Sequence, residues 1–153
     1  MAYDPFVDEE TMHTKNVVKV DLPELMRKSD FISVHVPLIE ETKHLLSTNE
    51  FNMMKNTAYL INTARGPIID EEAMIIALQE KKIAGCLLDV TETEPLPKNH
   101  ILRSIDQVIL SPHAAWYSDR AFIEIREKAI QNILDVYEGK SPQYLVNKVS
   151  LKI

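Results

Sequence analysis

Short apolar runs alternate with amphipathic stretches along the chain. The runs are Val17-Val18-Lys19-Val20, Phe31 to Val36, Thr57 to Ile61, Ile83 to Leu88 and Gln107 to Leu110. Most are continuously apolar, the pattern of strands buried on both faces of a parallel sheet. Helix signals lie between them. Asp21 can cap a helix through Met26, and Ser47 with Glu50 forms a capping box ahead of Phe51-Asn52-Met53-Met54. Asp70 precedes the stretch from Glu71 to Leu78, and Lys81 and Lys82 follow where a helix dipole favours cations. The acidic stretch Asp8-Glu9-Glu10 reads as a solvated face or a helix start. Ser118 is placed to cap a longer helix to about Glu138, stopped by Gly139. Along it Phe122, Ile125, Ala129, Ile130, Ile133, Leu134 and Tyr137 fall on one face. Strand–helix alternation of this kind predicts a doubly wound parallel α/β fold.

Composition narrows the function. A length of 153 residues, 45% hydrophobic and 26% charged, fits one globular domain. The net charge of -6 supplies no basic face for nucleic acid. No apolar run approaches the roughly 20 residues of a membrane span, and the start Met1-Ala2-Tyr3-Asp4-Pro5 has none of the features of a signal peptide. A single cysteine, Cys86, excludes an internal disulfide and a cysteine-based zinc site, and in its apolar run it reads as buried filler. A cytoplasmic protein with no metal is the expectation.

Ligands of open α/β sheets bind outside the carboxyl ends of the strands. Asp4 follows the fragmentary run Ala2-Tyr3, and His35-Val36-Pro37 follows Phe31 to Val34. Asn62-Thr63-Ala64-Arg65-Gly66 follows the third full run; Asp89 and then Glu94 follow the fourth; Ser111-Pro112-His113 follows the fifth. Arg65, His113, the carboxylates Asp89 and Glu94, and Asp4 should therefore line one crevice. A histidine titrates near neutrality and moves protons, a carboxylate beside it orients it, and an arginine fork matches a substrate carboxylate. An acid at a strand end suits a ribose hydroxyl pair. Together these are the parts for reducing a 2-keto acid with a nicotinamide cofactor. Glu92 rivals Glu94 as the histidine's partner. Asp89 has a simpler reading as a loop cap, and His35 as a packing or turn-bonding residue. Trp116 and Tyr117 read alternatively as interface core, and His13, His44 and His100 as surface residues.

The segments Asn62-Thr63-Ala64-Arg65-Gly66, Leu88-Asp89-Val90 through Glu94-Pro95, and Ser111-Pro112-His113-Ala114-Ala115-Trp116-Tyr117-Ser118 resemble the signatures of D-isomer-specific 2-hydroxyacid dehydrogenases. That family includes phosphoglycerate and glycerate dehydrogenases and the C-terminal-binding-protein corepressors. The resemblance implies an NAD-binding Rossmann domain, with Arg65 binding the substrate's carboxylate and carbonyl, His113 as acid/base and Glu94 as its partner. It further implies that Asp4 holds the adenosine ribose of NAD. Thr63, Ala64, Asp89 and Ala115 would line the nicotinamide side, along with Arg65 and His113, and Trp116 would face the substrate.

One part of the family pattern does not occur. The three glycines, Gly66, Gly85 and Gly139, form no Gly-x-Gly-x-x-Gly turn. The resemblance therefore implies the carboxy-terminal portion of the enzyme: an incomplete Rossmann domain lacking its first strand and glycine-rich loop, and not competent alone. Residues 1–117 would be the partial dinucleotide-binding domain, 118–138 a connecting helix, and 139–153 a tail returning to a missing substrate domain. With the first strand missing, the Phe31 to Val36 edge is expected either to be covered by residues 1–20 or to pair with another chain. A homo-oligomer or a complementing N-terminal half follows as the expected partner, with a small 2-hydroxy or 2-keto acid as substrate. The alternative is a non-catalytic, corepressor-like module on the same fold.

Overall fold

The computed structural model describes residues 1–145. The last residues of the expected tail, 146–153, lie outside the described residues. The chain divides into two compact units, Met1–Ala115 and the residues from Trp116 onward.

Polar caps start the helices of the first unit. Asp8 caps α1 (Glu9–Thr14) by accepting from the Thr11 amide at 2.6 Å, so the acidic stretch is a helix start. Asp21 caps α2 (Leu22–Lys28) through the Glu24 amide at 2.7 Å. The first strand, β1 (Phe31–Val34), follows. In α3 (Thr48–Met53) Glu50 reaches back to the Ser47 amide at 3.1 Å, while the Ser47 hydroxyl donates to Asp70 at 2.9 Å. Strand β2 (Tyr59–Asn62) leads to α4 (Glu71–Gln79), capped by Asp70. Strands β3 (Gly85–Leu88) and β4 (Val108–Leu110) complete the sheet. The second unit contains α5 (Asp119–Tyr137), capped by the Ser118 hydroxyl on the Ala121 amide at 3.0 Å. None of the residues of α5 is buried.

All strands run parallel in the order β1-β2-β3-β4. Right-handed crossovers that always step in the same direction put their helices on the same face of a sheet. The core follows from this. Ile32, Val34, Leu60, Cys86 and Leu88 on one face share a buried cluster with Met26 of α2, Phe51 of α3, and Met74, Ala77 and Leu78 of α4. On the opposite face Phe31 is 69% exposed, Tyr59 stacks on it with ring centroids 5.8 Å apart, and Ile109 is also exposed. Burial on both faces, expected from the apolar runs, is therefore approached only by β3. The parallel strands and the helices between them are the α/β arrangement that the alternation predicts.

The run Val17 to Val20 is not a strand of this sheet. Ala2 and Lys19 form an isolated parallel bridge, with Ala2 donating to the Val18 carbonyl and Val20 to that of Ala2. Beyond Ala2 the chain turns: Asp4 accepts from the Phe6 amide at 2.9 Å, and Pro5 has no amide to extend a ladder. Among the described residues β1 pairs only with β2, so residues 1–20 add no strand to its open edge.

Leu60→Ala at a fully buried site of β2 is expected to cost about 2–5 kcal/mol, whereas Phe31→Ala on the open face should cost about 1 kcal/mol or less. Urea denaturation of the chain checks both.

Candidate active site

Two buried polar groups, at the ends of β2 and β3, order loops at the carboxyl edge of the sheet. Asn62, the last residue of β2, is 0% exposed. Its amide nitrogen donates to the Arg65 carbonyl at 2.9 Å, and its oxygen accepts from the Ala64 amide at 3.0 Å. This clamp shapes Thr63-Ala64-Arg65 and leaves the Arg65 side chain exposed beyond the strand end.

Asp89 performs the same task after β3, with a charge. It is 5% exposed. One carboxylate oxygen accepts from the Ser111 hydroxyl and from the Ala114 amide at 2.8 Å; the other accepts from the Ala115 amide at 2.8 Å. Its carbonyl accepts from the His113 amide at 2.9 Å. Burial alone would push the Asp89 carboxyl up. The bonds from Ser111, Ala115 and Ala114 and the nearby His113 outweigh that and hold it below the usual aspartate range. Asp89 thus wraps residues 111–115 around itself and holds His113 at φ +55°, a left-handed conformation uncommon for a residue with a side chain.

The wrapped loop presents His113 to Glu94. His113 Nδ1 and Glu94 Oε2 lie 2.8 Å apart, and the other Glu94 oxygen accepts from the Thr91 amide at 3.1 Å. The His113 bond, with the Thr91 amide and the charges of His113 and Arg65 adding to it, holds the Glu94 carboxyl below its usual range against a smaller opposing effect of burial. Glu92 goes elsewhere, to His44 Nε2 at 2.9 Å, so Glu94 is the histidine's partner. The two loops meet at Gly66. A Cβ there would sit 2.0 Å from the Thr91 carbonyl oxygen and 2.6 Å from the Glu92 nitrogen, so only glycine admits this approach.

Arg65, Asp89, Glu94 and His113 therefore gather at one edge, together with Thr63, Ala64 and Ala115. Asp4 makes its bond locally, to Phe6. Trp116 belongs to the second unit, where it meets Tyr117 edge-on at 5.7 Å. His35 bonds Ser33 of β1 at 2.8 Å. His100, expected on the surface, is half-buried and paired with Glu71 at 3.2 Å. Asn62, Gly66 and Ser111 carry the site without having been singled out from the sequence. A glycine beside an arginine, in a chain with three glycines, was the available signal for Gly66.

Residues 1–115 match the family described as D-isomer specific 2-hydroxyacid dehydrogenase, NAD binding domain. The chain belongs to this family. It is 49% identical over 138 residues to a glyoxylate reductase of Thermofilum pendens, covering 90% of this chain and 41% of the relative. A D-3-phosphoglycerate dehydrogenase of Synechocystis is 37% identical over 147 residues, covering 96% of this chain and 26% of the relative. Among solved structures, the holo form of Rhodotorula graminis D-mandelate dehydrogenase superposes with a TM-score of 0.86 at 35% identity, over 96% of this chain and 43% of that one. The chain thus spans less than half the length of these relatives. As a member of the NAD-binding family it has the partial Rossmann sheet that its sequence implied.

Asp89→Asn is expected to remove about 1–3 kcal/mol, because the new amide nitrogen faces a backbone donor in a buried site. Asp89 and Glu94 are both held below their ordinary values, so the stability they contribute is present above the ordinary carboxylate range and lost as pH falls from there through their depressed folded values. Denaturation followed between neutral pH and about pH 3 should show that loss in the wild type and less of it in Asp89→Asn. Gly66→Ala should also lower the urea midpoint, since the Thr91 backbone has to move.

Proposed function

We propose that this chain is the catalytic-loop portion of an NAD-dependent dehydrogenase that interconverts small D-2-hydroxy acids and 2-keto acids. The observation that carries the reading is the Glu94–His113 pair at 2.8 Å, set beside Arg65 at the carboxyl edge of the sheet. Arg65 binds the substrate's carboxylate and carbonyl oxygen with its planar fork. His113 gives a proton to the carbonyl oxygen in reduction and takes it back from the hydroxyl in oxidation. Glu94 orients the imidazole through the bond to Nδ1. When bound, the nicotinamide supplies or accepts the hydride at the carbonyl carbon. Thr63, Ala64, Asp89 and Ala115 line its side of the site.

The residues present fit the nicotinamide half of the cofactor better than the pyrophosphate half. Helix N-termini and glycine amides hold a pyrophosphate, and no glycine turn of that kind occurs in the sequence. That part of the site comes from a complementing N-terminal segment. The β1 edge, unpaired on that side among the described residues, is where such a segment or a second copy pairs. Among the described residues no helix is long and apolar enough to cross a membrane.

The test joins residues 1–153 to the N-terminal portion of a relative such as the Thermofilum pendens glyoxylate reductase. The chimera should oxidise NADH when a small 2-keto acid is added. His113→Asn should lower turnover about 10²–10⁴-fold while NADH fluorescence titration shows binding retained. NADH should be preferred to NADPH, because Asp4 at the ribose repels a 2′-phosphate. A folded chimera that binds NADH and reduces no 2-keto acid would point to a non-catalytic module instead.

A further inference from the structure

The carboxylate that pairs with His113 sits on a short exposed loop, and exposed ion pairs are weak unless something fixes their geometry. The loop Thr91-Glu92-Thr93-Glu94 is fixed from its far side. Glu92 Oε1 accepts from His44 Nε2 at 2.9 Å and from the Glu71 amide at 3.4 Å. In return the Glu92 amide donates to Glu71 Oε2 at 3.3 Å. Glu71 is the first residue of α4, and its other oxygen lies 3.2 Å from His100 Nε2. The Glu71 side chain is only 14% exposed. His100 Nδ1 accepts from the Leu102 amide at 3.4 Å, so the ring presents Nε2 to Glu71.

This cluster is tied to both catalytic loops. Thr91 and Glu92 press against Gly66, one residue after Arg65. His44 is held by its amide to the Pro67 carbonyl at 2.9 Å. Within the loop, the Thr91 hydroxyl donates to the Thr93 carbonyl at 2.9 Å, closing a turn between Glu92 and Glu94. Glu92 is thus anchored to α4 and His44 while Glu94 is presented to His113.

We propose that Glu92 and its partner Glu71 are positioning residues, which set Glu94 at bonding distance from His113 by clamping the Thr91–Glu94 loop to the start of α4. The proposal rests on the assignment of Glu94 and His113 made above. The charged groups around this loop are His44, Glu71 and His100 on one side, Asp70 at the cap of α4, and Arg65 and His113 on the other.

The sign of one titration separates positioning from simple electrostatics. Removing a neighbouring carboxylate charge by Glu92→Gln would, through charge alone, make Glu94 easier to ionise and lower its titration midpoint. Losing the His113 bond through misplacement would raise it. Carbon-detected NMR of the Glu94 carboxyl in the 153-residue chain reads this directly, with the amide spectrum confirming the fold at each pH. The expected result is an upward shift in Glu92→Gln, in the same direction as His113→Asn and smaller. If His113→Asn shifts Glu94 upward and Glu92→Gln shifts it down or not at all, the positioning proposal fails while the pair stands. If His113→Asn itself causes no upward shift, the pair is wrong and the proposal falls with it. Should Glu92→Gln not fold, Glu71→Gln is read in the same way, because it too removes a carboxylate.

Discussion

The site depends on one buried charge. Asp89 leaves water at the end of β3 and recovers the cost through a hydroxyl and two backbone amides, all from residues 111–115. An ionised group buried without partners would shift to its neutral form, so the carboxylate and the loop stabilise each other or neither persists. The left-handed backbone at His113 is the local consequence. Such a conformation persists where the surroundings over-determine it, and here the loop is bonded on both sides of the residue.

A buried group thus bears the structural demand while the exposed groups are left for chemistry. Asp89 is enclosed, whereas Glu94 and His113 remain open to solvent at about two-fifths of their side-chain surface. An exposed pair adds little to folding, and its geometry has to be imposed from outside. Asn62 does this for Arg65, Asp89 for His113, and the contact of Gly66 with Thr91 sets the separation between the loops. Groups on three strand ends are thereby brought to one edge, where Glu94 and His113 meet.

The open face of the sheet has a topological origin. Because β1 to β4 follow one another without reversal, their crossovers accumulate on the same side, and Phe31, Tyr59 and Ile109 are left facing outward. The apolar runs suit strands covered on both sides. They fit a sheet continued beyond β1, in keeping with relatives more than twice as long as this chain.

Much of this was legible in the residues. Asp21, Asp70 and Ser118 cap the helices they were expected to cap, because an N-cap bond spans three residues and is a local property. Four of the five apolar runs are strands; the fifth, Val17 to Val20, lacks a partner ladder, and strand pairing is not local. The motif residues after each strand meet at one edge because parallel strands all end on the same side. Residue type and spacing left Glu92 a rival to Glu94, two residues apart and chemically alike, and only the resemblance favoured Glu94; the tertiary structure faces one to His44 and the other to His113. It also decided that Asp89 orders a loop 22 residues further on and that Gly66 is a point of contact between loops. Residue type and spacing determined which groups stand at the strand ends. Which of them touch was decided by loop paths that depend on contacts distant in sequence.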